Sequence, residues 1–241
     1  MSRRNSGFRR WLRSLVGRDV YVRRQLRIPM AALGAGDGTW RVSPAHLHGD
    51  SVVYSFGIGR DLGFELELIA RFGAPVHAFD PTPIALAWVA TQQLPPTLHV
   101  HPVGIAAEDG TARFAAPSRA DWESISMLRT EGAGESVDAP VRRLATLMRE
   151  RGHDHVDLVK LDIEGAEYAV LPDLVAAGIR PTQLLVEFHH RWREAGPGRT
   201  RAMIRLLQRH GYRIADVSPK GRELTFLLPT PPPASRRAGS A

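Results

Sequence analysis

Four acids and two histidines recur where strands would end. Asp162, Glu164 and Glu167 crowd a turn around Gly165 in VDLVKLDIEGAEYAVL, and Glu187, His189 and His190 close QLLVEFHHR. Each group follows a short apolar run rich in β-formers, which places it at the carboxyl end of a predicted strand. Carboxylates held this close raise one another's pKa, and a histidine titrates near neutrality, so the set suits acid–base chemistry or a cation site. A plainer role also exists for the acids, since Glu164 and Glu167 favour the start of the helix that follows. That role suffices for Glu167 and accounts less well for Asp162. Glu187 and His189 share a strand face at i, i+2 while His190 faces away, and one of the two histidines is expected to be structural.

A second constellation lies upstream, in SVVYSFGIGRDLGFELELIARFGAPVHAFD, residues 51–80. Val52 to Phe56 reads as a buried strand, Gly57-Ile58-Gly59 as a turn, Leu62 to Gly73 as a helix, and Val76 to Phe79 as a second strand ending on Asp80. Such a βαβ unit makes a nucleotide site: the glycines admit the ligand to the backbone, and the acid receives ribose hydroxyls. A dinucleotide fingerprint started at Gly57 would need glycine at Leu62, but the third glycine is Gly63. Arg60 and Asp61 also put charge where a pyrophosphate seeks bare amides. A mononucleoside with a positive centre and an amino-acid tail, the shape of S-adenosylmethionine (SAM), suits the turn better. An ordinary tight βα turn is the alternative.

The elements that must hold these residues alternate in the manner of an α/β fold. Pro83 starts a helix, Leu98 to His101 forms a third strand, and residues 103–107 and 111–115 read as a hairpin around Glu108-Asp109-Gly110. Residues 116–140 are irregular and polar, a loop long enough to be functional, and are expected to build the acceptor pocket. Short amphipathic helices follow at 142–151 and 200–210, and a terminal hairpin at 212–228 places one strand antiparallel. Residues 28–50 are a Gly/Pro-broken approach in which Trp40 stands alone. Three parts result: a basic segment 1–27, a domain 28–228 and a Pro-rich tail 229–241.

Composition narrows the function further. There are no cysteines, which removes disulfides, thiolate metal sites and cysteine nucleophiles and fits a cytoplasmic protein. The chain carries +7 overall, but residues 1–27 hold nine arginines and one aspartate, +8, so the remainder is −1. The basicity therefore belongs to the amino-terminal segment, and a nucleic-acid partner is not expected. Phe8, Trp11, Leu12, Leu15 and Val16 fall on one helical face among arginines, so peripheral contact with an anionic inner membrane surface is one expectation. A solvated helix packed on the domain, or disorder, is the other.

The ordered set VVYSFGIGRDLGFE, VHAFDPTP, GHDHVDLVKLDIEGAEYAVL and QLLVEFHHR resembles the FkbM-type SAM-dependent methyltransferases, from about Leu33 to Leu228. The resemblance implies a class I methyltransferase fold: a Rossmann-like three-layer sandwich whose seven-stranded sheet is mostly parallel, with one antiparallel strand from a C-terminal hairpin. It implies SAM as cofactor and methylation of a hydroxyl on a small molecule, glycan or lipid-linked acceptor. Carried onto this chain, Ser55, Phe56, Gly57, Ile58 and Gly59 would cradle the SAM amino-acid portion and Asp80 would hold the ribose. Gly104, Ile105 and Ala106 would flank the adenine, Asp162 and Glu164 would face the methyl group, and Glu187 and His189 would line the edge. Arg60 stands where many relatives carry a smaller or acidic residue.

An alcohol is a poor nucleophile, so a base should take its proton; His189, oriented by Asp162 or Glu187, is the expected one. A divalent cation on Asp162, Glu164 and a histidine is the alternative, but no ligand geometry is fixed by the sequence and no metal is expected. Two other functions remain open, a non-catalytic binding module with the same fold, tethered at a membrane, and a nicotinamide-dependent oxidoreductase.

Overall fold

The computed structural model describes residues 11–115, 136–192 and 194–229. The first βαβ unit runs β3 (Val53–Phe56), α1 (Gly63–Phe72) and β4 (Val76–Phe79), preceded by a small hairpin of β1 (Ala31–Leu33) and β2 (Trp40–Val42). Gly73 closes α1 in the left-handed region, φ 72°, with its N–H on the Ile69 carbonyl. Then come α2 (Pro83–Val89), β5 (Leu98–His101), β6 (Gly104–Ile105), β7 (Gly110–Ala115), β8 (Ser136–Arg142) and α3 (Leu144–Glu150). The last third holds β9 (Leu158–Leu161), α4 (Glu167–Ala176), β10 (Gln183–Glu187), α5 (Gly196–Arg209), β11 (Arg213–Val217) and β12 (Glu223–Leu227).

Seven strands form one sheet in the order β11-β12-β10-β9-β3-β4-β5. The β3–β4, β4–β5, β3–β9 and β9–β10 pairs are parallel, and β12 runs antiparallel to both β10 and β11. The single antiparallel strand expected from the terminal hairpin is therefore β12. One sheet face packs Val53, Val76, Ala78 and Leu158 against Phe64 and Leu68 of α1. The other packs Tyr54, Phe56, Phe79, Leu161 and Val186 against Leu147 of α3, Leu171 of α4 and Leu207 of α5. Alternate residues of each strand thus serve different helix layers, which is why the strands read as continuous apolar runs.

Two local expectations change. The residues around Asp109 do not form a hairpin: β6 pairs parallel and β7 antiparallel with β8, in the order β6-β8-β7. Residues 136–140, read as part of an irregular loop, belong to β8, the central strand of that small sheet. Its exposed and buried positions alternate through Pro140, but a proline argues against a central strand when only the sequence is read, which hides β8. The rest of that loop, 116–135, with the acceptor pocket assigned to it, lies outside the described residues, as do Phe8 and the tail from 230.

The β4–β5 edge carries a histidine ladder. His77 pairs in register with Tyr54 and His99, and its Nδ1 lies 3.1 Å from His101 Nε2. The Tyr54 hydroxyl lies 2.8 Å from His153 Nδ1, and the Arg151 guanidinium covers the Phe79 ring at 4.9 Å. Burial, reinforced by the neighbouring imidazoles and Arg151, pushes His77 down to about 3 and His101 to about 4, from 6.5. Both folded values lie below the unfolded one, so the neutral rings favour the fold, fully above pH 6.5 and progressively less as pH falls from there. Thermal stability should decline between pH 6.5 and about 4, and His77→Phe should flatten that slope in a pH series of melts; an unchanged slope would remove the ladder as its source.

Candidate active site

The carboxyl ends of β3, β4, β9 and β10 meet where the strand order turns back on itself, between β3 and β9, the place where open α/β sheets bind ligands. Gly57 and Gly59 both take positive φ, 76° and 52°. A Cβ on Gly57 would lie 1.7 Å from the Asp162 carbonyl oxygen, so only glycine allows the turn to rest on the end of β9. The Gly57 N–H donates to the Phe79 carbonyl at 3.0 Å, and the Asp162 N–H to that of Phe56 at 3.1 Å. A Cβ on Gly59 would meet nothing within 4 Å, so the turn opens onto space.

Asp80, almost fully buried, ties that turn to the next element. Its Oδ2 accepts the Gly59 N–H at 2.9 Å, and its Oδ1 accepts the Thr82 N–H at 2.9 Å and hydroxyl at 2.6 Å. Gly104 and Ile105 are buried in β6 beside it, and a Cβ on Gly104 would meet Pro81 Cγ at 3.1 Å. Ser55, Phe56, Gly57, Ile58, Gly59, Asp80, Gly104 and Ile105 are thus brought to one edge. An open glycine turn, an acid at the end of the second parallel strand and a flanking buried segment therefore stand side by side, with room for a ligand on the open side of the turn.

Beneath the turn lies a polar trio the sequence reading missed. Ser55 and Lys160 are register partners on the α1 face of the sheet, and Glu65 reaches them from α1. The Ser55 hydroxyl donates to Glu65 at 2.5 Å; Lys160 Nζ donates to the Gly57 carbonyl at 3.0 Å and lies 3.9 Å from Glu65. The Trp40 ring, a core member, covers that ammonium at 5.4 Å. A charged residue inside the apolar run VDLVKL was the available signal, because a lysine is buried in a strand only when something pairs with it.

The acids and histidine form the other wall. Asp162 and Glu187 hydrogen-bond to each other through their carboxyls. Burial raises the Asp162 pKa, with Glu164 adding to the rise and Lys160 opposing it. Burial and then Asp162 push Glu187 up to about 9, against His189 and Arg222, whose guanidinium is 3.0 Å away. The pair therefore holds a proton at neutral pH and titrates as a unit. Glu187 in the folded chain binds its proton more tightly than in the unfolded one, so its contribution to stability is present below pH 4.5 and is lost as pH rises toward 9. Glu187→Gln should accordingly melt higher than the parent at pH 8, by roughly 2–4 °C for each kcal/mol relieved, with no gain at pH 4; equal melting at both would refute the shared proton.

His189 has other partners than expected. Its Nδ1 lies 3.2 Å from Glu167 and its Nε2 3.1 Å from Glu164, and its main-chain N–H donates to Glu167 at 2.9 Å. Burial disfavours its charge, but the hydrogen bonds to Glu164 and Glu167 outweigh burial and raise its pKa to about 11. The ring is an imidazolium at neutral pH, and its orienting acids are Glu164 and Glu167 rather than Asp162 or Glu187. Glu167, fully buried, also accepts the Gly165 N–H at 2.8 Å, so it fixes the turn and the histidine as well as starting α4. Glu164 is the one non-glycine residue among those described with positive φ, 50°, a conformation that costs of order 1–3 kcal/mol and is held here by its histidine bond. Asp162, Glu164 and His189 each offer a ligand atom within 4.8 Å of the others. Both ring nitrogens of the imidazolium donate to carboxylates, so a cation would have to displace a proton and a salt bridge to gain a lone pair. His190 is the structural histidine, its Nε2 2.8 Å from the buried Asp19.

A family model described as the Methyltransferase FkbM domain matches residues 27–214. The chain is 28% identical over 143 residues to a Homo sapiens protein named "Probable methyltransferase-like protein 24", and 29% identical over 143 residues to the Rattus norvegicus protein of that name. Each alignment covers 58% of this chain, which spans about a third of the relatives' own length, 33%. Among solved structures, Aeropyrum pernix fibrillarin in complex with natively bound SAM aligns with 84% of both chains at 11% identity and a TM-score of 0.41. Among the described residues no helix is long and apolar enough to cross a membrane. The family match sets aside the nicotinamide oxidoreductase: this chain belongs to the FkbM methyltransferase family, a Rossmann-like α/β fold whose methyl donor is SAM.

Proposed function

We propose that the protein transfers a methyl group to a hydroxyl oxygen, on a small molecule, a sugar or a lipid-linked acceptor. The observation that supports this best is the hydrogen-bonded Asp162–Glu187 carboxyl pair, set against the glycine turn through the contact of Gly57 with the Asp162 main chain. Bound SAM supplies an electrophilic sulfonium methyl. An alcohol attacking it must lose its proton, and a carboxylate pair with a raised pKa takes that proton more readily than a free carboxylate would. Holding the acceptor oxygen in line can account for up to roughly 10 kcal/mol of the barrier.

The roles divide accordingly. Asp162 and Glu187 receive the acceptor's proton, and His189, held charged by Glu164 and Glu167, fixes the edge and offsets its negative charge. Arg222 keeps Glu187 in place. As the pair gives up its remaining proton, kcat/KM should climb with pH through an inflection near 9, and Glu187→Gln should abolish that limb.

Calorimetric titration with SAM, S-adenosylhomocysteine and NADH should show binding of the two adenosyl ligands alone. Labelled methyl should then pass to hydroxyl-bearing members of a panel of sugars, lipid-linked glycans and polyketide-like alcohols. Transfer to amines and not to hydroxyls would overturn the oxygen assignment.

A further inference from the structure

The amino-terminal segment carries a ridge of large apolar side chains that stay exposed. Residues 11–15 are helical, and Trp11, Leu12, Leu15 and Val16 are 40%, 45%, 65% and 67% exposed. Four large apolar side chains in six residues are a patch rather than scattered exposure. Leu15 and Val16 are the most exposed of the four.

Residues 17–27, by contrast, are fastened down. Asp19 is fully buried, with Oδ1 2.8 Å from His190 Nε2 and Oδ2 3.1 Å from Arg191. Arg201 of α5 donates to the carbonyls of Ser14 and Asp19 at 3.2 and 3.0 Å. Val20 joins the main core, and the Gln25 N–H donates to the Ile214 carbonyl at 2.7 Å. The latch closes on His190, the residue after His189. The ridge, three to eight residues before Asp19, is thus held at the same sheet edge as the active site.

We infer that this ridge seats the enzyme on an anionic lipid surface with its active-site edge turned toward the bilayer. Charge complementarity selects this occupant. Arg13 and Arg18 flank the ridge, Arg3, Arg4, Arg9 and Arg10 precede it, and the only acid in residues 1–27, Asp19, is buried. Arginines around an inserted apolar face are the pattern of interfacial anchoring, in which attraction to anionic headgroups adds to burial of the side chains. A neutral apolar partner, or a second basic copy of this chain, would gain nothing from these charges. Given the transfer proposed above, the acceptors reached most readily would be lipid-linked.

The test uses the full chain and vesicles of phosphatidylcholine with or without phosphatidylglycerol. Sedimentation with the anionic vesicles alone, weakened by added salt, is expected. The double variant Leu15→Glu, Val16→Glu should lose at least tenfold in vesicle affinity with an unchanged melting temperature and unchanged SAM titration. Leu66→Glu, an exposed apolar position on α1, should bind vesicles as the parent does. Equal binding to neutral vesicles, no binding to anionic ones, or retained binding by the double variant would overturn the inference. So would a dimer in sedimentation equilibrium that Leu15→Glu, Val16→Glu dissociates. Because SAM binding is read separately, failure of the membrane arm leaves the methyl-transfer proposal standing, and failure of SAM binding leaves the membrane result interpretable.

Discussion

Asp162→Asn lowers turnover by about 10²–10⁴-fold, the usual contribution of a positioned base, and leaves SAM affinity within about threefold. The backbone and the carboxyl of Asp162 have different roles. Its backbone supports the glycine turn: the carbonyl lies against Gly57 and the N–H reaches Phe56, and neither changes with the side chain. Its carboxyl shares a proton with Glu187, and an amide in that place can hydrogen-bond but cannot take a proton. Single-turnover assays beside calorimetry separate the two. Normal turnover would remove Asp162 from the chemistry, whereas lost SAM affinity with normal chemistry at saturation would make it a donor-site residue.

The largest effect on the fold is expected at Gly57. An alanine methyl there would stand 1.7 Å from a main-chain oxygen at φ 76°. Neither partner can withdraw without breaking the β3–β9 pairing, in which Phe56 faces Leu161 and accepts the Asp162 N–H. Gly57→Ala should therefore cost more than about 4 kcal/mol, a size reserved for a few mechanisms, backbone strain among them. Gly59→Ala separates folding from binding. Its methyl meets nothing within 4 Å, so the fold should lose only the left-handed penalty, roughly 1–2 kcal/mol. The methyl would occupy the open side of the turn, and SAM affinity should fall at least tenfold by order of magnitude. Melting and titration of both variants check the contrast; a stable Gly57→Ala protein would mean that the turn rests elsewhere.

The sheet was legible because its strands are buried on both faces and end on chemistry. Val53–Phe56, Val76–Phe79, Leu158–Leu161 and Gln183–Glu187 are apolar runs closed by a glycine or an acid, and such runs need no long-range information. The β1–β2 hairpin escaped because three-residue strands are shorter than any period, and it is held from afar: Thr225 donates to the Arg41 carbonyl, and Gln183 accepts the Ser43 N–H. In the site, Asp162, Glu187 and His189 could be named from position alone. Which acid faces which base could not. Glu167 lies past the turn that follows Asp162, at the start of α4, and returns to His189 only because β9 and β10 are neighbours. The protonation state of His189 followed from that pairing, which residue spacing does not encode.

One consequence of the small sheet concerns how this family can diversify. Ala115 and Ser136 are register partners in the β7–β8 pair. The two strand ends that flank residues 116–135 therefore lie side by side. Closing a flexible excursion costs only about 0.6 kcal/mol more for each doubling of its length. With its ends fixed as neighbours, replacing residues 116–135 by a segment of another length should cost the fold little. The β7–β8 ends form a ready splice junction for chimeras, and a transplanted segment that changed acceptor preference would assign that preference to it.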